Sequence, residues 1–454
     1  MSFVPCDRDT DFLLPPSLND WLPVNHLARF VTEIVAQLDL TKLKESYAGR
    51  GSSAYHPEML LAVLVYGYAT GLFSSRQLER STYDSIAFRY LAANTHPDHD
   101  TIAQFRKRFL PELESLFVQV LVLAQDMKLL KLGKISLDGS KVHANASKHR
   151  ALSWGHANKI EKQLRAEVNR LLQLAEAADE ADQPDGMNLP DELARREDRL
   201  AAIAKAKAAI KQRAVERDQQ AQKEYEQKLT ERRERENKRG QKSRGPEPQP
   251  PSDKGPQAKD QVNLTDGESR IMPVSGGGFE QAYNAQAGVD METMLIVTEH
   301  VTQATNDKEQ LEPALVQLTA LPEELGKAKA LVADSGYFSQ SNVKLCESKG
   351  IKPYIANRRE QHYPSLKKRF SGPPPLPEHA DAVERMKRRL QMPAGRKLYA
   401  RRKSTVEPVF GIIKSAMGFR QFMLRGLQAV SSEWTLVCLA WNMKRLHGLK
   451  SSQV

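Results

Sequence analysis

The chain has 454 residues, with 67 Lys and Arg against 56 Asp and Glu, a formal charge of +11 and a pI near 9.3. That length buries a large core and allows two or three folding units. Cys6, Cys346 and Cys438 lie far apart, which excludes a CxxC zinc site or a disulfide framework. The longest apolar run, Met59 to Phe73, falls short of the ~20 residues that cross a bilayer. The opening MSFVPCDRDTDF lacks the basic-then-apolar order of a signal peptide, so a cytoplasmic protein with no membrane partner is expected.

In chain order, residues 56 to 125 read as several amphipathic helices with polar breaks. In DHDTIAQFRKRF, Thr101 or Asp100 is placed to cap a short helix that carries Arg106 and Lys107, an arrangement that suits a helix-turn-helix reader of DNA and equally an ordinary charged face on a packing helix. KLGKISLDGSKVHANAS follows as a strand delivering Asp138. From about Asn158 to Lys238 the Ala, Glu, Gln, Lys and Arg runs predict an exposed helical hairpin or coiled coil, and residues 240 to 261 a disordered linker.

Strands then return in close order. FEQAYNAQAGVD and MLIVTEHVTQ predict a hairpin, NDKEQLEPALVQLTAL a helix capped by Asn306 or Asp307, and KALVADSGYFS a buried strand ending at Asp334. A further helix, the strand IKPYIAN and final helices complete a partly parallel sheet covered by helices. The boundaries expected are a helical DNA-binding region at 1–128, a first core strand at 129–150, a helical insert at 151–238, a linker at 239–262 and the remaining core at 263–450.

Charge is unevenly spread. From Arg358 to Arg425 there are 17 Lys and Arg against 5 acids, which leaves the rest of the chain near neutral. A basic excess confined to one segment is the footprint of a nucleic-acid partner.

Functional groups of such sheets gather outside the carboxyl ends of the parallel strands. Asp138 and Asp334 both sit there, and carboxylates with little His or Cys nearby favour magnesium or manganese. Taken singly, Asp138-Gly139 is equally a turn and Asp334 a loop cap. His143, His149 and His156 lack zinc-motif spacing. The glycine run at 275 to 281 lacks the Lys and Ser or Thr of a phosphate loop, so no nucleoside triphosphate partner is expected. Trp434, Leu436, Val437, Leu439, Ala440 and Met443 read as core, and Asp266, Glu268 and Asp307 as turn and cap residues.

ISLDGSKVHANAS, ALVADSGYFS and YARRKSTVEPVFGIIKSAMGFRQFMLRGL, in this order, resemble the DDE transposases of bacterial insertion sequences. The resemblance implies an α/β fold: an RNase H-like mixed sheet with flanking helices, an all-helical N-terminal domain and a long helical insert after the first core strand. It implies metal-dependent DNA cleavage and strand transfer in cut-and-paste transposition by a nucleoid-associated protein, with Asp138, Asp334 and Glu407 as catalytic acids holding two Mg2+ or Mn2+ ions. The implied partner is double-stranded DNA, both terminal inverted repeats and target, bound by a homodimer. DNA contacts are expected from Lys414, Lys403, Arg402, Tyr399 and Arg420, and from Arg106 and Lys107.

The family's Tyr, Arg, Glu and Lys signature has three residues between Arg and Glu. Here Lys403 occupies the Arg position, while Arg402 and Tyr399 are each one residue off. Ser404-x-x-Glu407 also matches a capping box. Pro408 leaves two readings open. Either a helix starts near Ser404, or a longer helix is kinked at Glu407 and aligns Lys403, Glu407 and Lys414 on one face. Two rival functions share this core: a non-catalytic DNA-binding or scaffold protein, and a stand-alone RNase H-like nuclease.

Overall fold

The computed structural model describes residues 17–47, 54–178, 189–242, 245–251, 255–274, 276–357, 375–377 and 379–452. Much of the early part of the basic segment, 358–374 and 378, lies outside them, as do Ser275 and parts of the expected linker. The described residues form two compact units. One draws on Met1–Ala144, Met272–Gly277 and Ala282–Val454, the other on Asn145–Ile271 and Gly278–Gln281.

The first unit opens with helices α1 (Leu18–Trp21), α2 (Leu27–Val35), α3 (Thr41–Glu45), α4 (Pro57–Thr70), α5 (Ser75–Asp84), α6 (Ile86–Leu91), α7 (His99–Phe109) and α8 (Leu113–Asp126). Apolar all round, α4 buries nearly every residue from Leu60 to Ala69 and is the hub of this region. Gly71 stops it in the left-handed conformation, φ 88°. Among the described residues no single helix is long and apolar enough to cross a membrane; α4 with α5 passes only as a pair bent by 98°. The cap of α7 comes from Asp98, which accepts from the Thr101 N–H (2.8 Å) and hydroxyl (2.9 Å), rather than from Thr101 or Asp100.

The sheet is built from β1 (Lys134–His143), β4 (Arg270–Pro273), β5 (Phe279–Asp290), β6 (Ile296–Thr302), β7 (Ala330–Ala333) and β8 (Lys352–Ile355). Its order is β4-β5-β1-β7-β8, with β6 also on β5. β5 and β6 pair antiparallel as the expected hairpin. β1 is antiparallel to β5, from Ile135 opposite Asp290 to His143 opposite Ala282, and parallel to β7, with Leu137 opposite Ala333. Helices α11 (Leu311–Ala320) and α12 (Gln340–Ser348) connect the later strands, and α13 (Ala382–Gln391), α14 (Pro393–Ala400), α15 (Val406–Ser415) and α16 (Leu427–Ser451) close the chain.

β1, flanked by strands on both sides, buries Ile135, Ser136 and Leu137. Trp434, Leu436, Val437, Leu439, Ala440 and Met443 of α16 are all buried, as their pattern predicts. The Asn442 side chain of α16 bonds both the N–H (2.8 Å) and the carbonyl (2.8 Å) of Ile296, fixing the helix to β6.

In the second unit, β2 (Ala151–Ser153) pairs antiparallel with β3 (Gln261–Asn263), a small sheet the composition did not signal. Helices α9 (Trp154–Ala178) and α10 (Leu189–Arg239) form the expected hairpin around Leu152, Ala157, Leu164, Ile203, Ala206, Ile210 and Val262. At 51 residues, α10 is about 75 Å long. The expected disordered linker is different in its described residues: these run back along α10. Arg217 donates to Asp260 (2.7 Å) and to the Gly255 carbonyl (2.8 Å), and Arg232 donates to the Pro246 carbonyl (2.7 Å). Charged side chains of the helix give the backbone of this Pro-rich stretch partners that its own composition cannot supply.

Candidate active site

Asp138 lies in the middle of β1, so Asp138-Gly139 is strand and not a turn. The parallel register that sets Leu137 beside Ala333 brings Asp138 to the level of Asp334, the first residue beyond β7. Asp334 also caps the short 3-10 turn Ser335–Tyr337, accepting the Gly336 N–H at 2.8 Å. The loop-cap reading and the strand-end reading therefore both hold for it.

Glu407 arrives from another direction. A 3-10 turn spans Arg401–Ser404, Thr405 departs from helical geometry (φ −122°, ψ −83°), and α15 begins at Val406. Pro408 is thus the third residue of a new helix, a position where its missing N–H costs nothing. No capping box forms. The Ser404 hydroxyl donates to the Arg401 carbonyl at 3.0 Å, and α15 has no side-chain cap. Because the helix starts after it, Lys403 does not share a helical stripe with Glu407 and Lys414, and its side chain is exposed.

Arg402 joins the pieces. One guanidinium nitrogen donates to Asp138 Oδ2 at 2.9 Å and the other to Glu407 Oε1 at 2.8 Å. The Arg402 side chain is 15% exposed, Asp138 20% and Glu407 43%. Burial pushes the Asp138 carboxyl up to about 6, with Asp334 and Asp307 adding to the rise and Arg402 and the Gly139 N–H opposing it. For Arg402, burial works against the charge, but Asp138, Tyr399, Glu407 and Asp334 outweigh it and raise its pKa.

The remaining expected contacts fall into three groups. Lys414 turns inward, donating to Ser140 Oγ at 2.5 Å and to the Lys141 carbonyl at 2.7 Å, and burial and the Lys141 charge lower its pKa. Arg420 is exposed, donates to the Lys414 carbonyl at 3.0 Å, and accepts the His143 N–H on its own carbonyl at 3.1 Å. Tyr399, on α14, is half-buried and lies within electrostatic reach of Arg402.

Arg106 is not a surface contact. It donates to the Tyr68 hydroxyl (3.2 Å) and the Phe73 carbonyl (3.0 Å), and Tyr68 in turn donates to the buried Glu433 (2.8 Å). Apolar spacing put Arg106 on the charged face of α7, yet α4 and α16 cover it. Its neighbour Lys107 is exposed.

One acid was missed. Asp307 does not cap α11, whose N-cap is Gln310 without a side-chain bond. Instead Asp307 Oδ1 accepts from Asn284 and Gln286, both at 2.7 Å, and pairs with Lys141 at 3.5 Å. Alternation along β5 was the signal available: Asn284 and Gln286 are fully buried polar residues in a strand, and such groups need partners.

Among the described residues, no three His, Cys, Asp or Glu side chains stand close enough together to hold a metal ion. The guanidinium of Arg402 spans the interval between Asp138 and Glu407. The donor set itself is hard oxygen, matched to Mg2+ or Mn2+.

Residues 240–443 match the model of a transposase DDE domain, and residues 16–108 that of a transposase domain (DUF772). The chain belongs to the DDE transposases of insertion sequences. No curated protein and no solved structure matches it. The DDE match spans Asp334 and Glu407 but begins after Asp138, whose place in the same sheet rests on the β1–β7 register. The family implies an RNase H-like fold, and the mixed sheet with its helical N-terminal region accords with it. It also makes this chain a DNA transposase.

Proposed function

We propose that this transposase cuts the ends of its element and joins them to target DNA, a cut-and-paste reaction dependent on two divalent ions. The observation that carries the reading is Arg402 held between Asp138 and Glu407. Two carboxylates that are 264 and 5 residues from one arginine converge on a single cation, in a chain with a third acid, Asp334, at the neighbouring strand end.

Asp138, Asp334 and Glu407 would hold Mg2+ or Mn2+, and all three present only oxygen donors, which fits those ions. When bound, the ions supply Lewis-acid activation of water and stabilisation of the leaving oxygen. The protein's own groups do the rest. Parallel register sets Asp138 level with Asp334, and Arg402 ties Glu407 of α15 to Asp138.

Arg402, released from the carboxylates, presents a planar fork suited to a phosphate. Lys414 holds α15 to β1, and so fixes the height of Glu407 above the strand. Arg420, Lys403, Lys107 and Tyr399 face or border solvent, where a phosphate backbone can reach them. Strand joining at two ends calls for two copies of the chain on paired terminal repeats.

The test is cleavage of DNA carrying the element's ends by purified protein in Mg2+. Glu407→Ala is expected to lower the rate by at least ~10³. Cleavage at the wild-type rate would remove Glu407 from the mechanism. Cleavage without joined products on a gel would make the protein a nuclease, and DNA binding without any nicking would make it a scaffold.

A further inference from the structure

Asp307 is the acid for which neither the turn and cap reading nor the three-acid pattern has a use. It lies in the segment between β6 and α11, and its side chain is 22% exposed. Oδ1 is saturated by the Asn284 and Gln286 amides at 2.7 Å, with Lys141 Nζ at 3.5 Å. Oδ2 accepts no hydrogen bond among the described residues.

Two glycines leave room for this side chain. A Cβ on Gly139, the residue after Asp138, would stand 2.8 Å from Asp307 Oδ1 and 2.1 Å from the Gln286 amide nitrogen. A Cβ on Gly336, two residues after Asp334, would stand 3.6 Å from Asp307 Oδ2 and 3.0 Å from Asp334 Oδ1. Asp307 therefore borders the glycines that follow Asp138 and Asp334, positions that carry no side chain. Its charge also contributes to the rise at Asp138 and at Tyr337, the buried phenol beside it that donates to Gln286.

Asp307 Oδ2 and Asp334 Oδ1 border the same Gly336 position, 3.6 and 3.0 Å from where its Cβ would stand, so two carboxylates share one small space. Like charges so placed repel, and the arrangement persists because Asn284 and Gln286 hold Oδ1 from behind. A divalent ion removes the repulsion and uses the oxygen that has no donor.

We propose that Asp307 is a fourth acidic residue of the catalytic centre, supplying an additional oxygen to the ion that Asp334 holds, with Lys141 as its counter-cation in the ion-free chain. This rests on the two-ion reading above, and the two can be told apart by experiment. Gln286 and Asn284 are then positioning residues, which set the carboxylate by gripping the oxygen it does not use.

The measurement is Mn2+ binding to the full chain without DNA, by calorimetry and by the electron paramagnetic resonance signal of free Mn2+. Asp307→Asn keeps the shape and an acceptor for both amides, and is expected to weaken Mn2+ binding about tenfold to a hundredfold. Asp334→Asn serves as the reference, and Glu312→Gln, an exposed acid on α11, as the control. If Asp307→Asn binds Mn2+ like the wild type while Asp334→Asn does not, Asp307 is no ligand and the proposal fails while the two-ion reading stands. If neither variant changes binding, the two-ion reading itself fails.

A second measurement needs no variant. Fe2+ with ascorbate and peroxide cuts the backbone next to a bound ion, and cuts are expected near 307 as well as near 138 and 334. Cuts at 138 and 334 alone would overturn the assignment of Asp307.

Discussion

Arg402 and Arg106 are both arginines that the sequence assigns to DNA, and both turn inward, Arg402 directly onto two carboxylates and Arg106 onto a tyrosine that itself donates to one, but their surroundings differ. Arg106 belongs to a closed knot: Glu433 accepts from Tyr68 and from the Met423 and Leu424 N–H groups at 2.8, 2.9 and 3.0 Å, with α4, α7 and α16 packed around it. Burial, partly offset by those donors and by Arg106, raises the Glu433 pKa. Arg402 bridges two acids of which one, Glu407, is 43% exposed. A sealed polar group can only serve the fold, because exchanging its partners means unpacking helices. A half-open one can trade its carboxylates for an ion and a phosphate without unfolding anything.

The largest effect that would break this contrast is on stability. Glu433→Ala leaves Tyr68 and two backbone N–H groups without an acceptor and takes the counter-charge away from Arg106, and should cost about 3–5 kcal/mol. Chemical denaturation would measure it, and a loss under about 1 kcal/mol would mean that the knot is not sealed. Next in size, Arg402→Lys keeps the charge but cannot span both acids, so end cleavage should fall roughly 10- to 100-fold while the denaturation midpoint hardly moves. An equal loss of stability would place Arg402 with Arg106 as a structural residue.

The smallest effect concerns pH. Glu299 is fully buried against Thr435 and its pKa is pushed up to about 8 by burial. The folded chain therefore keeps a proton that the unfolded chain releases near its ordinary value of ~4.3. Stability from this group is fully present below that value and is lost as pH rises toward 8. Glu299→Gln should flatten the fall in melting temperature between pH 5 and 8 by a few degrees. An unchanged slope would show that Glu299 does not carry it.

Much of the mixed sheet was legible because its strands announce themselves. ISLD and ALVAD are apolar runs ending in an acid, and the parallel register aligns them. What failed was counting along the chain. Arg402 lies four residues before Val406, with one more residue between it and Glu407 than the family pattern has. The 3-10 turn and the break at Thr405 absorb that residue, so Arg402, not Lys403, faces the acids.

Asp307 was illegible for another reason: its partners lie 21, 23 and 166 residues away, in strands whose pairing no local pattern reveals. Arg106 shows the same limit from the other side. Composition records a charge, but only the packing of α4 and α16 decides whether that charge meets water.

The register of β1 carries one more consequence. Its last pair sets His143 directly opposite Ala282 of β5, and β4, the first sheet strand after the helical insert, pairs with β5 in turn. The excursion between β1 and β4 therefore starts and ends two strand positions apart in one sheet, about 10 Å across it. Closing so long a loop costs mainly chain entropy, which grows only slowly with length. An insertion of this kind can be lengthened or shortened during descent while β1 and β7 stay in register.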